Sequence, residues 1–136
     1  SIGTDGAVNG TSMVAYCFAN KAGFSRMGSY VGNGSNDGTF IYTGFKPAFL
    51  IYKQSSASGE SWIMHDNARN LFNVTNKRLL ANASNAEADE PIDFLSNGFK
   101  CRTSGAFQNG SGSTYIYMAF AENPLVGTNG VPATAR

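Results

Sequence analysis

The residues best equipped for chemistry lie in the stretch SWIMHDNARN, where the chain's one histidine, His65, stands beside Asp66. A hydrolase needs a positioned acid, base or nucleophile. Adjacent residues on a strand point to opposite faces, so His65 and Asp66 do not form a His–Asp pair within a strand. The chain contains no Gly-x-Ser-x-Gly motif. We therefore expect no catalytic residues and a protein that is not an enzyme.

The same stretch offers a better case for binding. Trp62, His65, Asp66, Arg69 and Asn70 combine one aromatic ring with planar hydrogen-bonding groups. Such a set is typical of a sugar-docking patch or a subunit contact, because rings offer apolar area at low entropic cost. We take these five residues as candidates for binding a ligand or receptor. In the alternative interpretation, Trp62 belongs to the core and the other four cap a turn.

A second candidate is the acidic stretch EADEPID, which holds Glu87, Asp89, Glu90 and Asp93. Two close carboxylates could serve glycoside hydrolysis, and Glu87, Asp89 and Glu90 are weaker candidates for holding calcium. In the alternative, these acids are simply solvated in a loop. One histidine, and two cysteines without metal-ligand spacing, argue against zinc. We expect no metal and no cofactor.

The two cysteines, Cys17 and Cys101, fall inside strand-like runs. One interpretation makes both of them buried free thiols. The other makes them a disulfide, which requires the two strands to bring them together.

Composition limits the function classes. The 136 residues suit one domain, with 14% charged residues and a net charge of +1. That balance lacks the clustered basic residues of a nucleic-acid-binding protein. The longest apolar stretches, such as 48–52, are too short to span a bilayer. We expect neither nucleic acid nor membrane insertion.

Short alternating runs separated by turn residues dominate the chain. They predict an all-β, antiparallel β-sandwich, jelly-roll-like, with eight to nine short strands and little or no helix. Asn97-Gly98 predicts a type I′ hairpin turn, and Pro47 a strand start. Residues 39–43 and 48–52 are apolar on both faces, which suits central strands. Tyr115 and Tyr117 would pack on a second sheet or form an exposed interface. The strand-like runs after the first are 25–32, 38–44, 48–54, 61–66, 77–83, 92–96, 99–103 and 114–121.

The chain also repeats a phrase, VNGTSMVAYCFAN near its start and QNGSGSTYIYMAFAEN near its end. In both, Asn-Gly leads into a strand with a bulky face, Val14/Tyr16/Phe18 in the first and Ile116/Met118/Phe120 in the second. Repetition at domain length is typical of tandem units, although two strands can also match by chance. We expect residues 1–23 to hold the last strand of a preceding unit, or an N-terminal strand plus connector. A β-sandwich domain at 24–122 and an extended arm at 123–136 follow.

Four stretches, VAYCFANKAGFSRMGSYVGNGSNDGTFIYTGFKPAFLIYK, WIMHDNARN, DFLSNGFKCRT and TYIYMAFAENP, resemble an uncharacterised β-sandwich repeat domain. That domain lies at the C-terminal end of large bacteriophage virion proteins, tail-fibre or tail-associated, common in marine phages. The resemblance brings no catalytic residues with it.

This resemblance implies a non-enzymatic structural module of the virion, an extracellular phage particle. Its expected role is host attachment by receptor binding at the end of a tail fibre or appendage. Expected partners are copies of itself, as a homotrimer, neighbouring virion proteins and a host cell-surface glycan. Alternatives are a capsid or tail decoration or a fibre-forming scaffold link and, less favoured, a polysaccharide depolymerase.

Overall fold

A computed structural model describes residues 15–122, in which it contains eight strands and no helix. Each strand overlaps one predicted run, and β8 has the predicted bounds. The strands are β1 Ser25–Val31, β2 Phe40–Tyr42, β3 Pro47–Gln54, β4 Ile63–Asp66, β5 Thr75–Leu80, β6 Ala88–Leu95, β7 Gly98–Cys101 and β8 Thr114–Ala121. Pro47 opens β3, as predicted.

The strands join in one continuous antiparallel sheet, nearly closed, in the order β1-β8-β3-β4-β5-β6-β7-β2. The predicted all-β antiparallel fold is confirmed. Strand β3 is central, between β8 and β4, as its two apolar faces predicted. The same prediction is wrong for β2, which ends the sheet and leaves Phe40 and Tyr42 exposed. Apolar residues on both faces therefore do not by themselves identify a central strand.

The core lies on the inner face of this curved sheet. Alternation along β8 turns Tyr115, Tyr117 and Ala119 inward. Tyr115 stacks on Tyr30 with ring centroids 4.9 Å apart, and Tyr117 meets Phe99 edge to face at 5.3 Å. The two tyrosines therefore pack across the interior, and the alternative of an exposed tyrosine interface is wrong.

The hairpin predicted around Asn97-Gly98 joins β6 and β7, but its turn lies one residue earlier. Leu95 pairs with Gly98, which leaves Ser96 and Asn97 as the two turn residues. A type I′ turn needs positive φ at both central residues, and no described non-glycine residue has one. Glycine at position 98 instead lets β7 lie close to the backbone of β2, since a Cβ there would lie 2.1 Å from the carbonyl oxygen of Ile41.

The start of the described chain differs from its predicted strand. Residues 15–20 have no regular secondary structure, and Tyr16 and Phe18 are exposed. Val14, the rest of the first predicted segment and the predicted arm at 123–136 lie outside the described residues. Within residues 15–122 no helix is long and apolar enough to cross a membrane.

Candidate functional site

The five predicted binding residues do not form one patch. Trp62 lies on the outer face of the sheet, half-buried, with Lys53 Nζ 5.8 Å from its ring centroid. His65 lies on the inner face and is fully buried. Its ring is parallel to that of Tyr52, and Nε2 lies 3.3 Å from the Tyr52 hydroxyl. Because His65 has no exposed atom surface, it cannot contact an external ligand in this structure.

The environment of His65 keeps the imidazole neutral. Burial, followed by the charges of Arg69 and Arg78, lowers the pKa of His65 to about 3, against the opposing charge of Asp66. Nδ1 has no hydrogen-bond partner within residues 15–122. Tyr52, its neighbour, is also buried, and burial raises the pKa of its hydroxyl well above the usual value. The pair is a core contact with no accessible acid or base.

Asp66, Arg69 and Asn70 shape the turn after β4. Asp66 Oδ1 accepts hydrogen bonds from the backbone N–H groups of Ala68, at 3.1 Å, and Arg69, at 2.9 Å. The Arg69 side chain forms an ion pair with Asp66. Burial would raise the pKa of the Asp66 carboxyl, but the hydrogen bonds from Arg69 and Ala68 and the charge of Arg69 together hold that pKa below its usual value. For these residues the turn-capping alternative describes the structure.

The acidic stretch is not a loop, because most of it belongs to β6. Its four acids each form an ion pair with a different basic residue, and only Glu90 of the four is buried. Within residues 15–122 no group of three His, Cys, Asp or Glu side chains could hold a metal ion. The ion pairs are Glu87–Arg69 at 3.5 Å, Asp89–Lys77 at 2.8 Å, Glu90–Arg78 at 3.8 Å and Asp93–Arg102 at 3.3 Å.

Both cysteines are free thiols, so the alternative of a Cys17–Cys101 disulfide is wrong. Cys101 is buried in the core, as expected, and burial raises the pKa of its thiol to about 12. Cys17 is exposed, contrary to the expectation of two buried thiols. Its exposure follows from the irregular course of residues 15–20.

A groove with a volume of about 330 Å³ opens beside the turn after β4. We call it the loop groove. Only Asn70 of the predicted binding residues lines it. Its lining consists of Lys46, Asn67, Asn70, Leu71, Phe72, Asn73, Thr75, Phe94, Leu95 and Ser96.

Two asparagine side chains hold the loop that forms one wall of the loop groove. Asn70 Oδ1 accepts hydrogen bonds from the backbone N–H groups of Asn76 and Lys77, at 3.2 and 2.9 Å. Asn73 accepts from the backbone N–H of Phe94 and donates to its carbonyl, both at 2.9 Å. These hydrogen bonds fix the loop on both sides of Leu71 and Phe72.

Leu71 and Phe72, between these two asparagines, project into solvent at the loop groove, 79% and 84% exposed. The opposite wall is polar. Lys46 Nζ lies 2.7 Å from Glu122 Oε2, and Asn67 Nδ2 donates to Glu122 Oε1 at 3.1 Å. An exposed ring facing fixed amide, ammonium and hydroxyl groups can stack on an apolar surface while hydrogen-bonding polar groups at its edge.

Sequence reasoning missed Leu71 and Phe72. The available signal was their placement in RNLFNVTN, where two large apolar residues are enclosed by asparagines. Asparagine favours turns, because its side chain bonds nearby backbone groups. Apolar residues carried on such a turn are candidates for an exposed site.

The fold and the loop groove together define an all-β antiparallel domain with a polar and aromatic surface groove. Residues 1–124 match the family model described as a domain of unknown function, DUF7483, and the chain belongs to that family. No curated protein and no solved structure matches the chain.

Proposed function

We propose that this chain is a non-enzymatic attachment module of a phage virion and binds a host cell-surface glycan in the loop groove. The virion context rests on the sequence resemblance to C-terminal domains of tail-fibre and tail-associated proteins. The observation that carries the binding role is the exposed Phe72 ring, held at a groove lined by amide side chains.

A glycan fits this surface better than an apolar ligand does. Sugar rings present C–H faces that stack on aromatic rings and hydroxyls that exchange hydrogen bonds with amides. Asn67 and Asn70 supply amides, and Ser96 supplies a hydroxyl. Asn70 uses its Oδ1 for the loop and donates from Nδ2 to no residue within the described chain. That amide nitrogen is available to a bound hydroxyl.

The described residues give less support to a depolymerase. Such an enzyme needs two carboxyl groups about 5–10 Å apart facing one substrate groove. The acids of the stretch 87–93 instead form separate ion pairs. Among residues 15–122, no Asp or Glu lines the loop groove. Binding without cleavage is therefore the role that this geometry favours.

The test is binding of the purified chain to a panel of bacterial surface glycans and to whole cells, with Phe72→Ala as the perturbing variant. Loss of a stacked ring should weaken binding about 2- to 12-fold, since stacked rings contribute about 0.5–1.5 kcal/mol. Tyr42→Ala is the matched control, because Tyr42 is also an exposed ring, at 61%, and does not line the groove. Equal binding by the wild type, Phe72→Ala and the control variant would contradict the proposal.

A second candidate function is a self-assembling scaffold link, and the outer face of the sheet favours it. One row of apolar side chains crosses five neighbouring strands there: Met27, Met118, Ile51, Met64 and Leu79. Monomeric proteins rarely expose apolar patches larger than a few hundred Å². Burial of this face against other copies, as in the expected trimer, would suit a structural link.

The same preparation separates the two candidates. Molar mass from light scattering should exceed that of one 14.4 kDa chain if the outer face joins copies. Met118→Glu should then restore the monomer. A wild-type chain that is monomeric and binds glycan would support the attachment module and rule out the scaffold link.

A further inference from the structure

The first strand of the sheet has an open edge. Even-numbered residues bond to β8, as shown by the Ala121 N–H donating to the Phe24 carbonyl and the Gly32 N–H donating to the Ser113 carbonyl, both at 2.9 Å. The backbone groups of Met27, Ser29 and Val31 therefore point away from β8. No other strand in the described chain pairs with β1. Exposed edges of this kind accept a further strand readily.

Two groups at the ends of this edge have partners already. The Met27 N–H donates to Asn20 Oδ1 at 2.6 Å, and the Val31 carbonyl accepts from Thr39 Oγ1 at 2.9 Å. Ser29, between them, has neither its N–H nor its carbonyl bonded to another described residue. The open part of the edge is thus centred on Ser29.

A short bridge just before β1 fixes which residues would fill the edge. Lys21 and Ser25 form an antiparallel bridge in which each N–H donates to the other's carbonyl at 2.9 Å. Continued one residue at a time, this register places Ala19 opposite Met27 and Cys17 opposite Ser29. In the structure Asn20 bonds Met27 through its side chain, so the pairing stops after its first step.

That register would change the contacts of two rings, because Phe18 now packs edge to face on Phe120 of the outer face, with ring centroids 5.9 Å apart. Phe18 would face Gly28, an inner-face position where a Cβ would lie 3.1 Å from the Tyr117 ring. The Tyr117 ring already covers Gly28 from β8, and Phe18 would contact it from the open edge, where aromatic rings stabilise glycine positions. Tyr16 would face Tyr30. Pairing would move two rings that are now 82% and 55% exposed, those of Tyr16 and Phe18, toward the core.

We propose that residues 15–19 of this same chain pair with the open edge of β1 as a ninth antiparallel strand, with Cys17 opposite Ser29. The strand would narrow the gap between β1 and β2, the two ends of the nearly closed sheet. The chain's own segment is the favoured occupant, since the bridge at Lys21 already holds it beside the edge at high effective concentration. This inference concerns a different surface from the loop groove and does not depend on glycan binding.

A cysteine at position 29 tests the register. Directly opposed residues in a hydrogen-bonded antiparallel pair have Cα atoms about 5.5 Å apart, within the range of a disulfide. Ser29→Cys should therefore form an intramolecular disulfide with Cys17 under mild oxidation, read as loss of free thiols in a monomer by mass spectrometry. Cys101 is buried and does not compete.

Val31→Cys is the matched control, because a diagonal pair lies about 7–8 Å apart, too far for a disulfide. It should keep its thiols free under the same oxidation. Disulfide-linked dimers of Ser29→Cys would overturn the proposal and assign the edge to a second copy. Free thiols in both variants would overturn it as well.

Hydrogen exchange on the wild-type chain gives an independent result. The proposal expects slow exchange at the backbone amides of Ser29 and Cys17, comparable with that of β1 amides bonded to β8. Fast exchange at both amides would contradict it, whatever the oxidised variants show.

Discussion

The buried imidazole of His65 makes the stability of the fold depend on pH. The folded protein holds His65 neutral in the core, with a pKa of about 3 against 6.5 for the unfolded chain. Between these values the unfolded chain binds a proton that the folded chain does not. The free energy of unfolding must therefore fall as the pH falls below about 6.5.

The size of the effect follows from that difference. One proton of differential binding changes the free energy of unfolding by about 1.4 kcal/mol per pH unit. Lowering the pH from 7 to 5 should thus cost about 2 kcal/mol through His65 alone. Glu90 contributes with the opposite sign, because burial raises the pKa of its carboxyl and the folded chain then binds the extra proton. Comparing the wild type with a variant that lacks His65 separates the contribution of His65 from that of Glu90.

His65→Phe is the suitable variant. Phenylalanine keeps a ring beside Tyr52, whose hydroxyl still accepts a hydrogen bond from Gln108 Nε2 at 3.3 Å. Urea unfolding at pH 7 and pH 5, followed by the fluorescence of the single tryptophan, Trp62, gives the stability of both proteins. Wild type should lose about 2 kcal/mol more than the variant between the two pH values. Equal losses would refute a neutral, buried His65.

Two further predictions concern residues fixed by close contacts. Gly98→Ala should destabilise the fold by about 2–4 kcal/mol in urea unfolding. The new Cβ would lie 2.1 Å from the Ile41 carbonyl oxygen and would push β2 away from β7. A loss of stability below about 0.5 kcal/mol would contradict that packing. Asn109→Ala should cost about 2–3 kcal/mol in the same assay, because this buried amide accepts from the Asn33 N–H and donates to the carbonyls of Ser35 and Thr103. An unchanged midpoint would show that the three loop segments hold together without it.

The strands were predictable because their signal is local. Alternation in TYIYMAFA gave the bounds of β8, and Pro47 marked the start of β3. A period of two requires only neighbouring residues. In the structure residues 15–20 form no strand, although they alternate equally well. A strand forms only where an edge pairs with it, and in this structure the pairing ends at Asn20.

The candidate site was less accessible to sequence reasoning. Trp62, His65 and Asn70 are close in the sequence, yet the sheet separates them into an outer face, the core and a groove. Period-two alternation implied opposite faces for His65 and Asp66, which is correct. It did not say which face was the inner one, because that depends on how the sheet curves.

The sequence by itself determined the all-β class, the positions of the eight strands and the lack of a local His–Asp pair. Each of these follows from residue type and from the two-residue period of a strand. Only the tertiary structure decided that Tyr115 and Tyr117 face the core and that the acids of 87–93 form separate ion pairs. It alone placed Phe72 at a groove with Lys46. These features join residues far apart in the chain, and sheet order and curvature bring them together.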